Sequence, residues 1–275
     1  MTSPWPMLIE GPPIEPLTRD RVDLWFMPVS SADAEWLVTD LTFLSEEERT
    51  RAAAFRRSDD RVSFLVGRVI LRRLLGAYAA VAPGDVLIQA PRGRKPVVAA
   101  PARAASIEFN LSHTPGLLVW AFALGRAVGV DAEHIPRMNA LDPPPTGFFS
   151  PGERERLASA PASERALRLS QHWTLKEALV KALGTGLTLD VSQCAFTVGP
   201  ELSVRCDQAG QVDVSAWNFC LFRPTLNHTA ALCVQTAPGE QLPVRVCRVV
   251  PENPDRIPVI GGLFTQPKTG IRRTL

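Results

Sequence analysis

WTLKEALVKALGTGL (173–187) holds two of the four lysines in a chain whose other basic residues are all arginine. Its apolar spacing predicts a helix that ends at Gly184. Trp173, Glu177 and Lys181 are four residues apart, so they share one face of that helix. Lys176 lies about 100° round from them, within reach of a neighbouring group. The GTG that follows (184–186) lets the backbone turn tightly and approach a ligand closely. Where arginine serves for positive charge in general, retained lysines point to a need for lysine's compact ammonium. The plainer reading is a Glu177–Lys181 pair that supports the helix by about 0.2–0.5 kcal/mol. Trp173 on the same face argues that this face is partly covered.

This helix begins near Ser163, giving a span of 163–184. Before it, FFSPGERERLA (148–158) carries the start signals of another helix, Ser150 as cap and Pro151 at the first helical position. Similar patterns stand in the first half of the chain. LSEEERTRAAAF (44–55) reads as a helix capped by Ser45, with Glu46 to Glu48 at its positive end. RVSFLVGRVILRRLLGAYAAV (61–81) reads as a longer amphipathic helix. Arg61, Arg68 and Arg72 share a face of it, expected to be solvated. RVDLWFMPV (21–29) alternates as a first strand, and IEFNL (107–111), LLVWAFAL (117–124) and AVGVDAE (127–133) follow as consecutive strands with tight turns. Several short strands are expected over 192–235, and a loop-like tail beyond 236. The order of two helices and then short strands therefore runs twice, without identity between the halves. The expected organisation is an arm over 1–19, halves over 20–125 and 126–235, and a tail over 236–275.

The polar residues that interrupt these elements are candidates for chemistry. In GVDAE (129–133), strand alternation puts Asp131 and Glu133 on one side, about 7 Å apart, and Ala132 on the other. Two carboxylates converging from one strand repel unless a cation lies between them. A hard divalent ion such as Mg²⁺ suits that all-oxygen donor set; two solvated strand-end acids are the plainer reading. Glu177 would add a third carboxylate. FNLSH (109–113) brings Ser112 and His113 to a strand end. With Asp131 they invite a hydrolase reading, but neighbours on a strand point apart and no GxSxG is present. Holding a phosphate fits hydroxyl and imidazole better. PRGRKP (91–96) sets Lys95 in a turn with glycine and flanking cations, a pattern suited to a phosphate-rich ligand.

Composition narrows the remaining classes. A net charge of +2 argues against bulk nucleic-acid binding. The five cysteines, with no CxxC, fit reduced, mostly buried thiols. No signal-peptide pattern opens the sequence and no stretch of membrane-spanning length exists, so a cytoplasmic location without membrane association is expected.

Taken together, NLSH, GVDAE and WTLKEALVKALGTGL, in this order and spacing, resemble the 4′-phosphopantetheinyl transferases of the Sfp type. GRVILRRLL (67–75) and FFSPGE (148–153) support the resemblance, which spans roughly residues 20–235. It implies an α+β fold: a pseudo-twofold monomer of two similar α/β halves with the active site between them. It implies transfer of 4′-phosphopantetheine from coenzyme A to a serine of an apo carrier protein or domain, whether acyl, peptidyl or aryl. By matching motif positions, Asp131, Glu133 and Glu177 would hold Mg²⁺, Glu177 would act as base, and Lys181 would contact the transferred phosphoryl group. Ser112 and His113 would sit near the nucleotide. Lys95, Arg51 and Lys176 would contact coenzyme A. The turn reads Gly93-Arg94-Lys95-Pro96, one residue longer than the family's form, which leaves Arg94 as an alternative contact. The acceptor is expected to dock near Phe148 and Phe149, unless those rings are core. A coenzyme A or carrier-protein binding module without turnover is the alternative function.

Overall fold

A computed structural model of the chain describes residues 9–10, 14–30, 40–91, 94–141, 143–184, 186, 189–206, 212–249 and 263–264. The chain runs through the same order of elements twice. The first pass is β2 (Val22–Pro28), α1 (Glu46–Ala53), α2 (Ser58–Ala79), the hairpin β3 (Leu87–Gln89) and β4 (Val97–Ala100), then the hairpin β5 (Ile107–Thr114) and β6 (Leu117–Leu124). The second is β7 (Val128–His134), α3 (Pro151–Ala158), α4 (Ala162–Leu183), the hairpin β8 (Cys194–Thr197) and β9 (Ser203–Cys206), then β10 (Trp217–Thr225) and β11 (His228–Gln235). The pairing repeats as well: β2 lies against β6 and β6 against β5, as β7 lies against β11 and β11 against β10, all antiparallel. The repeated order expected from sequence is therefore present as a structural repeat, and the fold is mixed α+β.

Local signals set the helix ends. Ser45 and Ser150 each form a capping box with the glutamate three residues on, Glu48 and Glu153. Gly184 closes α4 in the left-handed conformation, at φ 66°.

Strand alternation builds the layers. On β6, Leu118, Trp120 and Phe122 pack toward α2, and Leu117, Val119 and Ala121 pack toward the other sheet. On β7, Val128, Val130 and Ala132 join that inter-sheet core, which leaves Gly129, Asp131 and Glu133 on the face toward α4. Gly129 is what allows α4 to come so near. A Cβ there would stand 2.2 Å from the Ala178 carbonyl oxygen and 2.4 Å from the Ala182 nitrogen.

Several expectations change. The stretch beyond 236 is not all loop: β12 (Val244–Val249) enters the first half's sheet, parallel to β2. Its outer edge pairs with β1 (Ile9–Glu10) and β13 (Leu263–Phe264), so part of the expected arm is also a strand. Residues 1–8 and most of 250–275 lie outside the described residues. Arg245 of β12 is buried beside the fully buried Asp23, which also accepts from Arg21 at 2.9 Å and from the Tyr78 hydroxyl at 2.7 Å. The arginine face of α2 is not solvated throughout. Arg72 is buried, bonding the Glu48 carboxylate at 2.9 Å and the Val86 carbonyl at 2.6 Å. Nor are all five cysteines reduced: Cys194 and Cys206, directly opposite across β8 and β9, form a disulfide. Cys220, Cys233 and Cys247 are thiols. The thiol argument for a cytoplasmic setting weakens accordingly.

Gly129→Ala should lower stability by about 1–3 kcal/mol or more, the cost of overpacking against backbone that cannot shift cheaply. Thermal unfolding of the variant beside wild type checks this, and an unchanged midpoint would mean that α4 does not press on β7 here.

Candidate functional site

The site lies where the two halves meet, along β5 and β7. The two strands are joined by side chains. Asn110, Ser112 and Thr114 recur at every second residue of β5. Their oxygens accept from the backbone N–H groups of Val130, Ala132 and His134 at 2.9, 3.2 and 3.1 Å. The same alternation turns His113 away from this seam. β7 thus keeps its edge amides satisfied while its acidic face stays open toward α4.

The helix α4 then brings up its half-buried face of Trp173, Glu177 and Lys181. The Lys181 ammonium donates to Asp131 Oδ1 at 2.6 Å and to Ser112 Oγ at 3.0 Å. Ser112 donates in turn to Asp131 Oδ1 at 2.9 Å. A hydroxyl offers one donor and two acceptor positions, and Ser112 uses all three. It is buried and wholly committed, so it does not serve as a nucleophile relayed through His113. The hydrolase reading loses its geometry.

Asp131 is buried, and its Oδ2 has no hydrogen-bond partner. Burial first, and the Asp131 charge second, push the Glu133 carboxyl up to about 7; Lys181 and Arg137 oppose this. Glu177 is raised for the same two reasons and is also opposed by Lys181. The Asp131 charge therefore reaches both Glu133 and Glu177. Among the described residues no three His, Cys, Asp or Glu side chains are already gathered at ligating distance around one point.

Two cavities open beside this junction. The larger, about 560 Å³, has His113 and Glu133 in its lining, Arg57 and Val62 at the start of α2 and Arg137 and Met138 of the 3-10 segment Ile135–Leu141. The smaller, about 160 Å³, is lined by Arg51, Arg68, Phe64, Asn110 and His113. Arg51 and His113, expected to share a ligand, do meet there. Partial burial of its ring, then the Lys181 charge, hold His113 below the usual histidine range.

One expected ligand contact is corrected, and a second expected contact is found bonded within the chain. Lys176 is fully buried and never faces the cleft. Its ammonium pairs with Glu153 at 2.9 Å and donates to the carbonyls of Val191 and Cys194 at 2.9 and 2.5 Å. Glu153 also accepts the backbone N–H of Phe196 at 2.7 Å, so the pair ties α3, α4 and β8 together. Lys95 is likewise committed, to Glu108 at 3.1 Å and the Val128 carbonyl at 2.7 Å, and burial lowers its pKa. Arg94 beside it is exposed. At the expected docking position Phe149 is core and Phe148 is half-buried. Phe149 is fully buried, and Phe148 stacks on Trp173 with ring centroids 4.1 Å apart. Asn110, Thr114 and Gly129 were not singled out from sequence. The period-two run of polar residues in FNLSHT was the signal for the first two.

Residues 127–235 match the 4′-phosphopantetheinyl transferase superfamily, and residues 30–123 match the 4′-phosphopantetheinyl transferase N-terminal family. The gap between the two matches falls at the turn from β6 to β7, so the matches divide where the two structural halves do. The 4′-phosphopantetheinyl transferase HetI of a Nostoc species is 32% identical over 225 residues, which is 81% of this chain and 91% of that protein.

The chain belongs to the 4′-phosphopantetheinyl transferase superfamily.

A phosphopantetheinyl transferase of a Thraustochytrium species is 28% identical, covering 73% of this chain and 74% of its own length. The transferase ffp of Bacillus subtilis is 26% identical over 85% of this chain and 93% of its own. The two matched regions meet beside the junction where Lys181, Asp131 and Ser112 come together.

Glu133 should report on its own burial. Its folded pKa is raised from 4.5 to about 7, so the folded state holds the proton more tightly. The stability this gives is complete below the unfolded value and is lost as pH rises toward 7. Glu133→Gln should therefore raise the unfolding free energy at pH 8 in metal-free buffer by roughly 1–2 kcal/mol after solvent screening, seen as a higher melting temperature, and leave it unchanged near pH 4. Equal melting at pH 8 would show that Glu133 feels neither burial nor Asp131. Lys176→Met should cost about 3–5 kcal/mol because Glu153 is left buried without its cation. The folded variant should bind coenzyme A as wild type does, in a calorimetric titration, whereas a large affinity loss would restore Lys176 as a ligand contact.

Proposed function

We propose that this chain transfers 4′-phosphopantetheine from coenzyme A to a serine hydroxyl of an apo carrier protein, releasing adenosine 3′,5′-bisphosphate. The observation that carries this reading is the contact of Lys181 with Asp131 and Ser112 at the seam between the halves, inside the two matched family regions. Relatives named as 4′-phosphopantetheinyl transferases over most of their length support it.

In the proposed reaction the serine oxygen of the acceptor forms a bond to the phosphorus that bears pantetheine. The bond from that phosphorus to the bridging oxygen breaks, and the adenosine bisphosphate carries away the electron pair. Negative charge grows on the phosphoryl oxygens, and the Lys181 ammonium is placed to stabilise it. The serine proton passes to Glu177. A carboxylate whose pKa is raised is a better base than an ordinary one, and burial beside Asp131 raises Glu177. Arg51 and His113, meeting at the smaller cavity, would hold the phosphates of the nucleotide end.

The residues present fit a divalent cation. Asp131 Oδ2 is a buried oxygen with no partner, and Glu133 and Glu177 both feel the charge of Asp131. Asp131, Glu133 and Glu177 would hold Mg²⁺, which when bound would offset charge on the pyrophosphate. Among the described residues no helix is long and apolar enough to cross a membrane.

Purified protein incubated with coenzyme A, Mg²⁺ and an apo carrier protein should raise the intact mass of the carrier by one phosphopantetheine group. EDTA should abolish the gain. Glu177→Gln should slow it by about 10²–10⁴-fold, as expected for loss of a general base. Lys181→Arg should slow it by roughly 10²-fold or more, because the planar guanidinium cannot reproduce the convergent contacts of the ammonium. No mass gain with acyl, peptidyl and aryl carriers, together with intact coenzyme A binding, would favour a binding module. Near-normal turnover of Lys181→Arg would remove Lys181 from the mechanism.

A further inference from the structure

Ser112 sits where the seam meets the acidic face of β7. It is buried, and of the Ser112–His113 pair it is His113 that lines both cavities. The Ser112 hydroxyl accepts from the Ala132 amide at 3.2 Å and from the Lys181 ammonium at 3.0 Å. Its own proton is donated to Asp131 Oδ1 at 2.9 Å. Lys181 donates to that same oxygen at 2.6 Å. One oxygen of the Asp131 carboxylate therefore takes two donors, from β5 and from α4. The other takes none: Oδ2 is buried without a partner. A half-turn of the carboxylate only exchanges its two oxygens, and any smaller turn loses both contacts. A buried acceptor left unpaired costs free energy, so this arrangement suits a carboxylate whose second oxygen receives something positive. Glu133 and Glu177, the other carboxylates of the junction, both feel the Asp131 charge.

We propose that Ser112 is a positioning residue for the divalent cation and not a nucleotide contact: with Lys181 it holds Asp131 Oδ1, so that Asp131 presents Oδ2 alone to the cation. The inference rests on the cation reading above and adds the residue that prepares the ligand. Groups that orient a ligating side chain set metal affinity by about 10–100-fold. Ser112 is well placed for this, because the amide that fixes its hydroxyl belongs to Ala132, next to Asp131 in the chain. Hydroxyl and carboxylate are thus held against one another by a single contact between strands.

The test is Mn²⁺ binding, followed by electron paramagnetic resonance, to metal-free wild type, Ser112→Ala and Ser112→Thr. It is run with and without saturating coenzyme A, and without any acceptor, so nothing turns over. Ser112→Ala should weaken Mn²⁺ binding by about 10–100-fold. Ser112→Thr, which restores the hydroxyl, should bind close to wild type; a threonine already serves at the equivalent seam position, Thr114. Asn110→Ala removes another seam acceptor without touching Asp131. It should lower the melting temperature and leave Mn²⁺ affinity as in wild type. Coenzyme A affinity measured in EDTA should be the same for Ser112→Ala and wild type. If the alanine variant does not fold, Ser112→Cys, of similar shape with a weak donor, should show the weakening in smaller measure. Mn²⁺ binding equal to wild type in the folded variant overturns the proposal and leaves the cation reading standing. So does an equal loss in Asn110→Ala, which would make the effect one of the seam as a whole. Loss of coenzyme A affinity in EDTA would assign Ser112 to the nucleotide and also overturns it. Wild type that binds no Mn²⁺ under either condition fails the cation reading itself, and the proposal with it.

Discussion

The seam between β5 and β7 is the constraint on which the rest depends. β7 is an edge strand of its own sheet, and its outward amides need acceptors. A second backbone ladder would have closed the two sheets into one. Instead Asn110, Ser112 and Thr114 reach across with side-chain oxygens and satisfy those amides at a distance. The two halves are thus joined through side chains instead of a backbone ladder. Ser112 is the centre of the seam: the hydroxyl that satisfies the Ala132 amide also orients Asp131 and receives Lys181. Structural and chemical roles therefore share one atom.

The three lysines among the described residues answer a common physical need. Each ammonium donates to two or three acceptors that approach from different directions. For Lys95 these are a carboxylate and a carbonyl, for Lys176 a carboxylate and two carbonyls, and for Lys181 a carboxylate and a hydroxyl. A compact, rotatable ammonium suits such convergent sets; arginine's flat fork suits a single carboxylate or a planar pair of acceptors. Arg245 on Asp23 and Arg126 on Glu240 show the latter use, each contacting both oxygens of its carboxylate. The scarcity of lysine drew attention to all three positions, and at one of them, the fully buried Lys176, the role is architectural.

The close approach of α4 to β7 is the second constraint, and Gly129 permits it. Without that contact Glu177 and Lys181 would stand too far from Asp131 and Glu133 for their charges to interact. The cost of the approach is visible in the raised carboxyl groups of Glu133 and Glu177. These acids are kept close together and partly out of water, which is unfavourable for an empty site and useful for one that takes a cation and a pyrophosphate.

The sequence by itself determined the local and periodic features. The caps at Ser45 and Ser150, the strands β6 and β7 with the alternation of Asp131 and Glu133, and the shared face of Trp173, Glu177 and Lys181 all depend on residues close in the chain, and all were legible. So was the family, because its motifs lie within single elements. Only the tertiary structure decided the rest. VRVCRV (244–249), with two arginines and prolines on either side, gave no reason to expect a buried strand; Arg245 is tolerated there because Asp23, more than two hundred residues away, neutralises it. Lys176 looks like a ligand contact until Glu153 is seen to claim it. An ion pair between distant residues leaves no periodic trace in the chain. Whether a charge faces a ligand or a partner is therefore settled only when the elements pack.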